Sequence, residues 1–400
     1  MAAKEFRMAD IRFGEDYRLK RFWWYVASLW PLKCLRGEKL VLHKARKRIK
    51  GPAIVVGNHA SLFDWWFAWR VLRRPNLTPV VARYFFSDSF NAYWLKHAGC
   101  IPKSVFAADN SSAIAMMRCL KNNGILLLFP EAHTGALSRN EPLPDDTALF
   151  IKRIGVPVYG VHVEGATLCF PKWGKKHAGG RIEVTTRQLY TKEQLKAVDK
   201  DVLAKELTDY IAYDDTKFRE RNKNLSLKAK NPAEHVENAA WVCPACGKQG
   251  GLASHGDEVS CTCGWHATID GNYHMSSSYA TVQDWICDCV EKLKAEAKDP
   301  AFEMRDDVTL KLPTHQHDGG QREAGRGVCR LNHQGLTYKG TMDGREVELS
   351  FPVSSMFLLP FTAGRNFVIY EKEQCFIFCP AHKENCTRFS YASAVLSGAM

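Results

Sequence analysis

Several things are missing from these 400 residues, and each absence closes a possibility. No apolar run is long enough to span a bilayer, which takes about 20 residues. The longest near the N-terminus is FWWYVASLWPL, Phe22 to Leu32, eleven residues. The first 21 residues are charged, with no apolar core and small-residue cleavage site, so a secretory leader is not expected. Repeats and low-complexity tracts are absent, which argues against solenoids and disordered arrays. No G-x-S-x-G turn is present to raise a serine nucleophile, so a covalent serine route has no support. Acidic residues are the scarcer sign, 43 Asp+Glu against 55 Lys+Arg, leaving a net charge of +12. That balance favours anionic partners, either nucleic acid or an acidic membrane face.

What is present fills a large globular chain. At 46% hydrophobic and 24% charged, it can support two or three domains and a sizeable core. The Phe22–Leu32 run holds four Trp or Tyr residues, the types that settle at a membrane–water interface, and Arg18, Lys20, Arg21, Lys33 and Arg36 flank it. An interfacial or re-entrant helix over residues 1–39 fits, the alternative being a buried helix with basic flanks. From 40 onward, β-branched runs alternate with helical patterns. AIVVG (53–57), TPVVARY (78–84), ILLLFP (125–130), VPVYGVHV (156–163) and RIEVTTRQL (181–189) read as strands. Residues 61–74, with Ser61 as N-cap, 110–124 and 192–215 read as helices. This is an α/β domain with a mixed, mostly buried sheet flanked by helices.

Between the first strand and first helix of that unit lies VVGNHASLFDWW. Ser61 and Asp64 form a capping-box-like S-x-x-D. His59 falls in the loop at the carboxyl end of a strand, where open α/β sheets bind ligands. A carboxylate one turn further on can hold one ring nitrogen, fix the tautomer and stabilise the imidazolium. Such a pair can draw the proton from a hydroxyl as it attacks a carbonyl.

Here the sequence resembles the lysophospholipid acyltransferase family, which includes 1-acylglycerol-3-phosphate acyltransferases. Asn58, His59 and Asp64 meet its N-H-x4-D signature. Phe129, Pro130 and Glu131 meet part of F-P-E-G-T-R, about 70 residues later, and GVPVYGV (155–161) meets its apolar V-P-V block. The resemblance implies O-acyl transfer from acyl-CoA or acyl-carrier protein to a hydroxyl of a lysolipid. His59 would be the general base, Asp64 its orienting partner, and Glu131 a residue at the acceptor site beside Asn58, Ser61, Phe129 and Pro130. It further implies a cytoplasmic enzyme, peripheral on the inner face of an anionic membrane. Two phosphate-holding arginines of the family are missing. Lys103 lies near the position of the first, in GCIPKSV, and Thr134 stands at the second, with Ala132 in place of glycine. A lysine lacks the forked geometry of arginine, so Lys103, His133 or Arg139 would have to compensate.

Fourteen cysteines in a chain of this size point to metal ligation in a reducing compartment rather than a disulfide framework. CPACG and CTCG supply Cys243, Cys246, Cys261 and Cys263, two thiolate pairs spaced to wrap one structural Zn2+, with His266 in reserve. The glycine after each pair permits the positive-φ turn of a zinc knuckle. Cys287 and Cys289 point to different helix faces, and Cys375, Cys379, His382 and Cys386 read as core residues rather than a second metal site. A zinc ribbon on a basic chain also suits a nucleic-acid binder, yet residues 240–275 contain one Lys and no Arg, too few cations for phosphate contacts. An inactive acyltransferase-like membrane scaffold is the other alternative. The organisation expected is an interfacial segment (1–39), an acyltransferase-like α/β domain (40–225), a polar linker or exposed helix (216–238), a zinc ribbon (238–275), a connecting helix (276–299) and a small antiparallel β domain (300–400). The last resembles pleckstrin-homology or GRAM-type barrels closed by a terminal helix, and no chemistry is assigned to it.

Overall fold

The computed structural model describes residues 18–29, 31, 35, 38–73, 75–87, 89–144, 146–175, 177–314 and 320–400. The first sheet is built from β1 (Glu38–Leu42), β2 (Ala53–Gly57), β3 (Leu77–Ala82), β4 (Ile101–Lys103), β5 (Ile125–Leu128), β6 (Val158–Glu164) and β7 (Gly180–Tyr190) in the order β1-β7-β6-β2-β5-β3-β4. All neighbours are parallel except β6 and β7. The mixed sheet is therefore as expected, with β1 and β4 added at its edges. β2 is buried along its whole length because helices cover both faces. Ala53 and Val55 join one core with helix α2 (Asp64–Val71), while Ile54 and Val56 join the other with α4 (Asn110–Lys121), α5 (Asp146–Ile154) and α8 (Lys200–Ile211). Each large aliphatic side chain so buried contributes about 1.5–3 kcal/mol.

α1 (Arg18–Ala27) lies against α2 and against α3 (Ser89–His97). Its aromatic run divides between two environments. Trp24 is buried, packs on Trp65 and Trp69, and donates from Nε1 to the Ala98 carbonyl at 3.3 Å. Phe22, Tyr25 and Leu29 are exposed. The side chains of Arg18, Lys20 and Arg21, and residues Lys33 and Arg36, lie outside the described residues. Among the described residues no helix is long and apolar enough to cross a membrane.

Three boundaries differ from expectation. The helix after His59 begins at Asp64, not Ser61, because the Ser61 hydroxyl and amide are both turned onto the Asp64 carboxylate in a turn that precedes the helix. After the short α6 (Ala166–Cys169), the 192–215 helix is broken into α7 (Lys192–Ala197), α8 and α9 (Asp215–Arg221), the last running on past it. Extended residues at Val198 and Ala212 interrupt it, and Thr191, Asp199 and Asp214 cap each new start. The supposed linker 216–238 is not free: Phe218, Leu227, Ala233 and Val236 are buried in a core shared with all that follows.

That core joins β8 (Leu252–His255), β9 (Glu258–Cys261) and β10 (His266–Thr268), a small antiparallel sheet, to α10 (Val282–Glu296) and to the C-terminal sheet. The latter is fully antiparallel. Its strands are β11 (Glu303–Pro313), β12 (Gln321–Asn332), β13 (Gly335–Met342), β14 (Arg345–Pro352), β15 (Phe361–Thr362), β16 (Asn366–Glu371) and β17 (Gln374–Pro380). They lie in the order β14-β13-β12-β11-β17-β16-β15, and the terminal helix α11 (Asn385–Leu396) packs on them. This is the small β domain with a closing helix that the strand–turn pattern suggested.

Candidate active site

Parallel pairing of β2 with β5 brings their carboxyl ends together, so the loops carrying His59 and Glu131 emerge side by side. Gly57 lets them close: a Cβ there would lie 3.1 Å from the Phe129 ring and 3.2 Å from the Val161 carbonyl. The His59 ring then stacks on Phe129, with centroids 4.7 Å apart and planes 16° apart.

His59 Nδ1 lies 3.0 Å from Asp64 Oδ2. Asp64 is fully buried, and it also accepts the Ser61 amide at 2.8 Å on Oδ2 and the Ser61 hydroxyl at 2.7 Å on Oδ1. A carboxylate bonded through both oxygens is fixed in place. It directs the Nδ1 proton toward itself and leaves Nε2 as the basic nitrogen. The His59 side chain is 19% exposed, and its Nε2 has no hydrogen-bond partner among the described residues. One nitrogen is thus anchored in the interior while the other is available to a reactant.

Several residues expected to touch substrate are turned inward. Asn58 is fully buried and straps β2 to β6, donating from Nδ2 to the Val163 carbonyl at 2.7 Å and accepting from its amide at 2.8 Å. Ser61 is spent on Asp64. Glu131 is also fully buried: Oε1 accepts the His59 amide at 2.7 Å and Oε2 the Glu141 amide at 3.0 Å. In this arrangement Glu131 braces the histidine loop from behind. Burial raises its carboxyl to about 8, against the pull of those two amides. Phe129 and Pro130 are partly exposed at the rim. Among the described residues Lys103 bonds only its neighbour, the Ser104 carbonyl, at 3.3 Å.

The F-P-E loop holds a second polar group that the motif did not announce. Lys172 reaches Thr134, donating to its carbonyl at 2.6 Å and its hydroxyl at 2.8 Å, and its ammonium lies 4.7 Å from the centre of the Phe361 ring. Burial lowers Lys172 to about 8, opposed by Glu141. His133 is buried beside it and held neutral, lowered to about 3 by burial and then by the Lys172 charge. Lys172 thus puts a cation beside Thr134, the residue that stands where the resemblance expects an arginine. Sequence reading missed it because it lies in no motif, about 40 residues from Thr134. Ala132 sits at φ 60°, left-handed backbone that suits the glycine expected there.

The four ribbon thiols converge. Cys243 and Cys263 sulfurs lie 3.8 Å apart, Cys246 and Cys261 sulfurs 3.9 Å, and all four lie within 4.8 Å of one another. Tetrahedral zinc thiolate with bonds of about 2.3 Å requires sulfurs about 3.8 Å apart, so the set fits one such ion. Gly247 and Gly264, at φ 70° and 92°, make the two knuckle turns. His266 is exposed and outside the cluster. Among the described residues no other cysteine group gathers as metal ligands: Cys375 and Cys386 are buried core residues, and His382 pairs with Asp306 at 2.9 Å.

Residues 39–164 match the family model described as Acyltransferase, a span that runs from β1 to the end of β6 and contains His59, Asp64 and Glu131. Among solved structures, the chain is similar to the 1-acyl-sn-glycerophosphate (LPA) acyltransferase PlsC from Thermotoga maritima. The identity is 15% and the TM-score 0.40, over 51% of this chain and 78% of that one. No curated protein matches the chain.

Proposed function

We propose that this chain, which carries an acyltransferase domain over residues 39–164, moves a fatty acyl group from a thioester to a hydroxyl of a lysolipid. The observation that carries the reading is the anchored imidazole, with Nδ1 on a buried carboxylate held by Ser61 and Nε2 open. The acceptor hydroxyl donates its proton to His59 Nε2 while its oxygen bonds to the thioester carbonyl carbon. The tetrahedral adduct then expels the thiolate, which takes the proton back from the imidazolium. An ester and a free thiol result. Asp64 stabilises the imidazolium between the two transfers. The donor is acyl-CoA or acyl-carrier protein, and Lys172, His133 and Phe129 border the acceptor side.

The enzyme works on the inner face of an anionic membrane. Support comes from the exposed Phe22, Tyr25, Leu29, Leu62 and Tyr93, and from Lys44, Arg46, Lys47, Arg48 and Lys50 in the exposed loop between β1 and β2. The thiol cluster holds a structural Zn2+, which folds the ribbon and takes no part in the transfer.

The test is a radiolabelled acyl-CoA assay over a panel of lysolipids and simple alcohols, with the His59→Ala protein as blank. Transfer to at least one lysolipid is expected, with about 10²–10⁴-fold less in the blank. Equal label transfer by the His59→Ala protein would defeat the mechanism. Sedimentation with anionic vesicles, set against DNA retention at the same salt, checks the partner: vesicle binding and no DNA binding is expected.

A further inference from the structure

The terminal helix α11 reaches the histidine loop through a chain of buried hydrogen bonds. Tyr391, fully buried, donates its hydroxyl proton to Glu141 Oε1 at 2.9 Å and accepts the Ala136 amide at 2.9 Å. The Glu141 amide donates to Glu131 Oε2, and Glu131 Oε1 accepts the His59 amide. One side chain from the β domain therefore ties down both arms of the 131–141 loop, and that loop's carboxylate holds the backbone of the catalytic histidine. Gly135 is pressed against the same carboxylate; a Cβ there would fall 1.4 Å from Glu141 Oε1. Other contacts join the two domains nearby. Tyr370 Oη accepts the Tyr84 amide at 3.0 Å, Asn366 donates to Tyr84 Oη at 3.0 Å, and Phe106 packs on Phe357.

We propose that Tyr391 is a positioning residue for His59: through Glu141 and Glu131 it sets the seat of the histidine loop, so the β domain is a working part of the active site. This rests on the reading of His59 as general base. The physical reason is leverage. His59 meets Asp64 across a five-residue turn, and a general base must hold its reactant within hydrogen-bond reach. A backbone shift of a few tenths of an ångström at His59 is enough to weaken both, and the Glu131 bond to its amide is what opposes that shift.

The experiment compares Tyr391→Phe, Gly135→Ala, His59→Ala and wild type in the acyl-CoA assay. Ser393→Ala, a change on the same helix that loses bonds to the Leu359 amide and the Ser390 carbonyl but none to the strut, is the control. Tyr391→Phe is expected to lower kcat about tenfold or more, with KM for both substrates within twofold. Gly135→Ala reaches the strut from the opposite side and is expected to do the same even if Tyr391→Phe folds poorly. Ser393→Ala should match wild type. If either strut variant is folded and keeps wild-type kcat while His59→Ala loses about 10²-fold or more, the strut is overturned and the base assignment stands. If His59→Ala keeps wild-type activity, the base assignment falls first.

Discussion

The histidine site and the thiol cluster are both built in loops at strand ends, yet they are held in opposite ways. His59 and Asp64 need nothing from outside. The carboxylate is immobilised by Ser61, the ring by Phe129, and the loop by Glu131 and by the Asn58 strap, all on a sheet buried from both sides. Of the four cysteines only Cys261 lies on a strand, as the last residue of β9; the other three sit in turns and loops around the small sheet, and little but an ion can hold four sulfurs at van der Waals separation. The first site is preorganised by a core; the second, on the proposed zinc reading, by a ligand. A small segment can acquire a fixed shape by either route, but only the second is lost on strong chelation.

Metal removal should therefore separate the two sites most sharply. Elemental analysis is expected to find one zinc per chain, lost on strong chelation or in Cys243→Ser. The binding energy of such ions, about 10–16 kcal/mol in isolated peptides, is folding energy. Loss should loosen residues 240–275, seen as a change in the fluorescence of the Trp265–Trp285 pair, whose rings lie 5.8 Å apart. Metal-free protein with unchanged fluorescence would erase the contrast. The converse substitution, His59→Ala, should leave the circular dichroism and metal content intact while cutting transfer by about 10²–10⁴-fold, the range of a lost general base. Asp64→Asn should fold and bind substrates, with a smaller loss of kcat, because the amide cannot stabilise an imidazolium.

Two further tests probe how firmly the first site is preorganised. Glu131 and Glu141 have carboxyls raised by burial to about 8 and about 7, so the folded protein binds more protons than the unfolded chain between pH 5 and 8. Stability from these groups is fully present below about pH 4.5 and is lost as pH rises through those values. Denaturant titrations should show stability falling over that interval, less steeply in Glu141→Gln, where Glu131 alone remains to titrate. The smallest effect expected is at Ala132. Relieving its left-handed backbone with glycine should stabilise the fold by up to about 1 kcal/mol, read as a rise in Tm.

Much of the α/β unit was legible because its signals are local. A five-residue β-branched run ended by glycine has few options besides a buried strand, and N-H-x4-D needs only a turn to bring its ends together. The cysteine pairs were legible for the same reason, since thiolate spacing is a short-range code. The helix breaks at Val198 and Ala212 were not, because the acids that cap the next helices also read as ordinary surface residues. Nor was the inward turn of Asn58 and Glu131. Their polar types suggested substrate contact, and what spends them is carbonyls and amides on strands and loops distant in the chain.

The sequence by itself determined the alternating α/β pattern, the histidine–carboxylate pair and the four-thiol set, because each depends on residues within one turn or one hairpin of each other. Only the tertiary structure decided that Lys172 stands beside Thr134, that the stretch after 216 is core, and that Tyr391 is bonded to the loop behind His59. Those contacts join residues 38 to 250 positions apart, and at that separation a side chain's partner is set by how the sheets and helices stack.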